Sequence, residues 1–146
     1  MIRDIKIPKK IETALPAVVC NINSHIRSVI NDIEDTMRKH SYKSLSAPHI
    51  GFPYKISLIN LDLIEEKIDQ SGILVMINPR VVDGLGDIYV EEKFLSDPDK
   101  LEPRLRAYIS IVEYHDIDGN EKEISAINEL SVIVQHELDC VEGLRF

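Results

Sequence analysis

The chain has 146 residues, 44% of them hydrophobic, which is enough to bury one core without disulfide staples. A net charge of −8 offers no broad basic face to nucleic acid or an anionic membrane, so neither partner is expected. Two cysteines, Cys20 and Cys140, are too few for a disulfide framework, and the opening Met1-Ile2-Arg3-Asp4-Ile5-Lys6 lacks the apolar run of a signal peptide or membrane span; a cytoplasmic setting is expected.

No repeat or low-complexity segment interrupts the sequence, so one domain over residues 1–146 is expected. Lys6, Lys9 and Lys10 read as solvated charges. Ile22, Ile26, Val29, Ile30, Ile33 and Met37 recur at helical spacing and predict an amphipathic helix from about Asn21 to His40, which Asn21 or Asn23 could cap. Tyr54 to Leu61 and Ile73 to Val82 are rich in β-branched residues and read as strands, the second broken by Asn78-Pro79. Ala107 to Tyr114 reads as a further strand, and Asp118-Gly119-Asn120 signals a hairpin turn into Glu121 to Ser125. From Ile127 the period changes: Leu130, Val134, Leu138 and Val141 form an apolar stripe on a second helix, stopped by Gly143. Helices flanking antiparallel strands make an α+β fold.

The second helix carries Gln135-His136-Glu137-Leu138-Asp139-Cys140. Residues four apart share a helix face, so His136 and Cys140 are expected to point to one spot with the Glu137 carboxylate alongside, a metal site and a general base in outline. Cys140 also fits a plain buried thiol. Glu92 and Arg104 are expected to form an ion pair behind this site. For Cys20, His25, His40 and His115 the spacing suggests no partner, and surface or core placement is expected.

Three segments in one order resemble the peptide deformylase family. Ser44-Leu45-Ser46-Ala47-Pro48-His49-Ile50-Gly51 is similar to its first motif (Gly-x-Gly-Leu-Ala-Ala-Pro-Gln), Glu92-Lys93-Phe94-Leu95-Ser96 to its second (Glu-Gly-Cys-Leu-Ser), and His136 to Cys140 to its third (His-Glu-x-Asp-His). Ile77-Asn78-Pro79, Pro103-Arg104 and Asp118-Gly119-Asn120 are similar to the sequence between the motifs. The resemblance spans nearly the whole chain and implies the deformylase fold, antiparallel strands around a central motif-bearing helix. It implies a role in protein biosynthesis, the hydrolytic removal of formyl from the N-terminal Met of nascent polypeptides. It also implies a divalent metal, iron or zinc, which lowers the pKa of its bound water toward ~7.

Carried over residue by residue, the first metal-ligand position is Phe94, the second is His136 and the third is Cys140. Glu137 stands where the family has its proton shuttle, Leu95 where a backbone N–H stabilises the oxyanion, and His49 where the family has Gln for the same task. The substrate cleft falls on Ser44, Leu45, Lys93, Phe94, Val132 and Ile133, with Tyr42, Ser44 and Lys93 at glycine positions that let a peptide backbone approach. Members generally continue past the third motif, in some to reach the ribosome, and that docking role is not expected here.

Two readings follow. Because an aromatic ring gives a metal no lone pair, the first expectation is a catalytically impaired protein without metal, a pseudoenzyme binding a formyl-Met peptide, a nascent chain or a protein partner. The second is an active metallohydrolase that rebuilds its ligand set from His49, His136 and Cys140 with Glu137 as base; those donors suit iron or zinc.

Overall fold

The computed structural model describes residues 1–6, 15–66 and 68–146; Lys9 and Lys10 lie outside the described residues. A first helix, α1 (Ser24–His40), is followed by β1 (Ser44–Ser46), a 3-10 turn (Ala47–His49), β2 (Ile56–Asn60), β3 (Ile73–Phe94), β4 (Asp97–His115), β5 (Glu121–Ile127) and α2 (Glu129–Val141). The strands form one antiparallel sheet in the order β1-β2-β3-β4-β5. This is the expected α+β arrangement.

Helix α1 begins at its cap: the Asn23 side chain accepts from the Ile26 N–H at 3.0 Å, so Asn23 rather than Asn21 sets the boundary. Ile26, Val29, Ile30, Ile33 and Met37 are buried, as their spacing predicts, and Arg38, Lys39 and His40 complement the negative end of the helix. Helix α2 buries its predicted stripe Leu130, Val134, Leu138 and Val141, and Gly143, φ 74, follows its last turn.

The expected break at Asn78-Pro79 does not occur; β3 runs through it to Phe94. Asn78 takes φ 52 and is held by its side chain, which accepts from the Val19 N–H and donates to the Val19 carbonyl, both at 2.8 Å. The β3/β4 register slips between Ile77 and Arg80, so Pro79, which has no N–H, sits in a bulge instead of in the ladder. Strand β3 also extends beyond Val82, and β4 starts ten residues before the predicted Ala107.

All five residues of β2 are buried because both of its faces are covered. Ile56 and Leu58 join Val29, Ile33, Met37 and Leu45 in a core beneath α1. Ile59 joins Met76, Val112, Val134 and Leu138 beneath α2. Alternation along a strand thus sends even-numbered residues of β2 to α1 and odd-numbered ones to α2.

Candidate active site

The same alternation builds the site. In the β1/β2 register Ser44 faces Ile59 and Ser46 faces Ser57, so both β1 serines and Ser57 share the α2 side of the sheet, whereas Leu45, opposite Leu58, turns into the α1 core. Glu137, in the third turn of α2 and 2% exposed, meets them. The Ser44 hydroxyl donates to Glu137 Oε1 at 2.6 Å, and the Ser46 hydroxyl donates to Glu137 Oε2 while lying 2.9 Å from the Ser57 hydroxyl. A buried carboxylate is tolerable when hydroxyls solvate it in this way.

His49 closes the 3-10 turn, also buried. Its Nδ1 lies 3.2 Å from the Ser46 backbone N–H, which can only donate, so Nδ1 is the unprotonated nitrogen. Nε2 therefore carries the hydrogen and donates to the Phe146 carbonyl at 3.3 Å. Burial lowers the pKa of His49, outweighing the attraction of Glu137, and keeps the ring neutral. The Cys140 thiol lies on the same side of α2 and donates to the His136 carbonyl at 3.5 Å. Burial, with Glu137 and Asp139 nearby, pushes its pKa well up, so it is a thiol and not a thiolate. His49, Glu137 and Cys140 each place one ligand atom within 4.8 Å of the others, a group that could hold a metal ion.

His136 lies outside that group. Its Nδ1 meets Glu92 Oε1 at 2.8 Å, and its ring stacks on Phe94 with centroids 4.3 Å apart and planes 13° off parallel. The expected Glu92–Arg104 pair is instead Glu92–Arg106, a fork with bonds of 2.8 and 2.7 Å, and Arg106 donates a third bond to Asp139 at 2.9 Å. Arg104 turns to Glu102 at 3.5 Å and lies 5.1 Å from the Phe94 ring centroid, with Arg145 at 5.2 Å. Burial would raise the Glu92 pKa; the bonds from Arg106 and His136 override it and bring it to about 2. Burial would likewise lower that of His136, but the Glu92 hydrogen bond and the Glu137 charge leave it raised.

The ligand positions implied by the family resemblance do not fit a metal in this structure. Phe94 has no donor atom and is wholly buried against the one imidazole retained. Among the other cleft positions, Lys93 is exposed, Leu95 and Val132 are half-buried, Leu95 packs on the α1 core, and Ile133 packs on the α2 core. Sequence reasoning missed Ser57, Arg106 and Asp139. Ser57 is found only once β1 is paired with β2, and Arg106 competes with Arg104 on the same side of one strand, so sequence carries no signal to separate them. His25 reaches the Tyr54 hydroxyl at 3.1 Å, His40 stacks on Tyr42, and Cys20 is exposed.

A family model described as polypeptide deformylase matches residues 5–146. The chain is 34% identical over 128 residues to the peptide deformylase of Buchnera aphidicola subsp. Acyrthosiphon pisum, covering 88% of this chain and 71% of that protein. It is 35% identical over 130 residues to that of Syntrophobacter fumaroxidans, covering 89% and 75%. The crystal structure of a peptide deformylase from Legionella pneumophila superimposes with a TM-score of 0.85 at 28% identity, over 98% of this chain and 82% of that one. That of Ehrlichia chaffeensis in complex with actinonin gives 0.84 at 28% identity, over 97% and 84%. No described helix is long and apolar enough to cross a membrane.

Proposed function

The chain belongs to the peptide deformylase family, and from that premise we propose that it is a member whose hydrolytic centre has been dismantled, leaving a catalytically impaired protein that acts, as one domain, in peptide or protein binding. The family is one of metal-dependent deformylases acting on formyl-methionine of nascent peptides. The ligand class this kinship suggests is therefore a peptide N-terminus.

The observation that carries the reading is Phe94. It stands at the first ligand position, is 0% exposed, and covers His136 in a parallel stack at 4.3 Å. A metal-dependent hydrolytic site ordinarily has three protein ligands and an open position for water. Here the first ligand position, Phe94, has no donor, and His136 at the second is tied to Glu92 and covered by the Phe94 ring. Glu137, the family's proton shuttle, is engaged by Ser44 and Ser46.

The alternative, an active metallohydrolase on His49, His136 and Cys140, gains support from the proximity of His49 and Cys140. It is weakened by His136, which is tied to Glu92 and covered by Phe94. Hydrolysis of a formyl-Met peptide, measured anaerobically with iron, zinc, nickel or cobalt supplied, decides between them. No turnover above the metal-only control is expected. Clear turnover that disappears in Glu137→Gln would overturn the proposal.

A further inference from the structure

The trio that the fold does bring together differs from the ligand set implied by the resemblance, and it excludes His136. We infer that a ring nitrogen of His49, a carboxylate oxygen of Glu137 and the Cys140 sulfur form a binding site for one divalent transition metal of the zinc class, at which hydrolysis is not supported.

The geometry carries this in three steps. First, one ligand atom of each residue already lies within 4.8 Å of the other two, and all three residues are buried. Ligand atoms around a tetrahedral zinc are separated by about 3.5 Å, so the trio needs to contract by about 1 Å, which small side-chain torsions supply.

Second, the tautomer of His49 is suited to ligation. Nε2–H donates to the Phe146 carbonyl, which leaves the lone pair on Nδ1, and a ligating imidazole characteristically gives its other N–H to a backbone carbonyl in this manner. Ligation through Nδ1 gives up its contact with the Ser46 N–H, at 3.2 Å, and ligation by Cys140 gives up its bond to the His136 carbonyl. Glu137 retains unused lone pairs after accepting from two serines, because an ionised carboxylate has about four acceptor sites.

Third, the charges balance. On binding, the Cys140 S–H bond breaks, the sulfur–metal bond forms and the proton passes to solvent; thiolate and carboxylate together then neutralise the dication. Imidazole, thiolate and carboxylate are all accepted zinc ligands, whereas magnesium and calcium avoid sulfur. With Glu137 on the metal, it no longer serves as the base of the family reaction, so occupancy of this site and hydrolysis by that route exclude one another.

The inference is independent of the turnover assay and is tested with cobalt(II) as the probe, which reports thiolate ligation by a near-ultraviolet charge-transfer band. Because Cys20 is an exposed thiol, the full chain is used in a Cys20→Ser background. One cobalt per chain with a charge-transfer band is expected. The near-isosteric Cys140→Ser should abolish the band, Glu137→Gln should weaken binding at least tenfold, and His136→Ala should keep both stoichiometry and band. Thermal unfolding in metal-free buffer establishes that each variant is folded, and Cys140→Ser alone decides if the Glu137 variant is not. Absence of cobalt uptake, a band that survives Cys140→Ser, or binding that depends on His136 and not on Glu137 would overturn the inference.

Discussion

Replacing Glu92 by Gln removes one charge from a buried ionic cluster while keeping its shape. The Glu92 and Arg106 side chains are 7% and 8% exposed, and Glu92 receives two bonds from Arg106 and one from His136. A carboxyl whose pKa is about 2 in the fold, against an ordinary 4.5, contributes about 3 kcal/mol to stability at neutral pH, at about 1.4 kcal/mol per pH unit. The size agrees with the roughly 3–5 kcal/mol lost when one partner of a buried pair is removed. Because the folded pKa is depressed, that stabilisation is present above pH 4.5 and is lost as the pH falls toward 2. Urea unfolding of Glu92→Gln at pH 7 should therefore show a deficit of about 3 kcal/mol, narrowing to a little under half by pH 3 as Glu92 of the unfolded parent takes up a proton. A deficit below about 1 kcal/mol at pH 7, or one that does not narrow in acid, would refute the account.

The same cluster predicts that His136 titrates above its ordinary 6.5, and that Glu92→Gln lowers its pKa; proton NMR of the ring measures both. Since that pKa is raised in the fold, the stabilisation from charged His136 is fully present below pH 6.5 and disappears as the pH rises through the folded value. Phe94→Ala should cost about 3–5 kcal/mol, read from thermal or urea unfolding, because a fully buried ring stacked on His136 leaves a cavity that its neighbours fill only in part. A loss under about 1 kcal/mol would mean that the ring is not a filled core position.

How much of this was legible in the sequence depended on whether burial leaves a period. Helices α1 and α2 each bury one stripe, and their apolar spacing located them; the capping side chain of Asn23 then fixed the start of α1. The outer half of β3 was not found because Asp83 through Asp87 are exposed on both faces, so no alternation of apolar and polar residues marks them. Gly84 and Gly86 there look like strand breakers, yet each lets the facing strand approach: an added Cβ would meet Ala107 Cβ at 3.1 Å and Tyr108 Cβ at 3.2 Å. In the site, three motif-like segments could be recognised, but their contacts could not. Helical spacing alone puts His136 and Cys140 on one face; the structure gives His136 to Glu92 and Phe94, and groups Cys140 with His49 and Glu137. Which polar group an α2 residue meets is fixed by the register of β1 on β2 and by the reach of Arg106, both long-range facts.

The departures from the family motifs are not scattered but touch the groups they replace. Ser44 and Ser46 stand where the resemblance implies Gly and Ala, and both donate to Glu137. Phe94 stands where the resemblance implies a ligand, and it covers His136. Each substitution thus satisfies a group that a hydrolytic site would leave available: the hydroxyls solvate the carboxylate in place of a metal-bound water, and the ring fills space beside the imidazole in place of the ion. A buried carboxylate and a buried imidazole with neither metal nor such partners would be expensive to keep, by roughly 1–3 kcal/mol for each polar group left unsatisfied. On the proposed reading, the site's polar residues therefore persist because they have acquired structural partners. It follows, on that reading, that reversing one departure does not rebuild an enzyme: with Cys at position 94 alone, Glu137 would still be held by two serines and position 140 would still be Cys where the resemblance implies His.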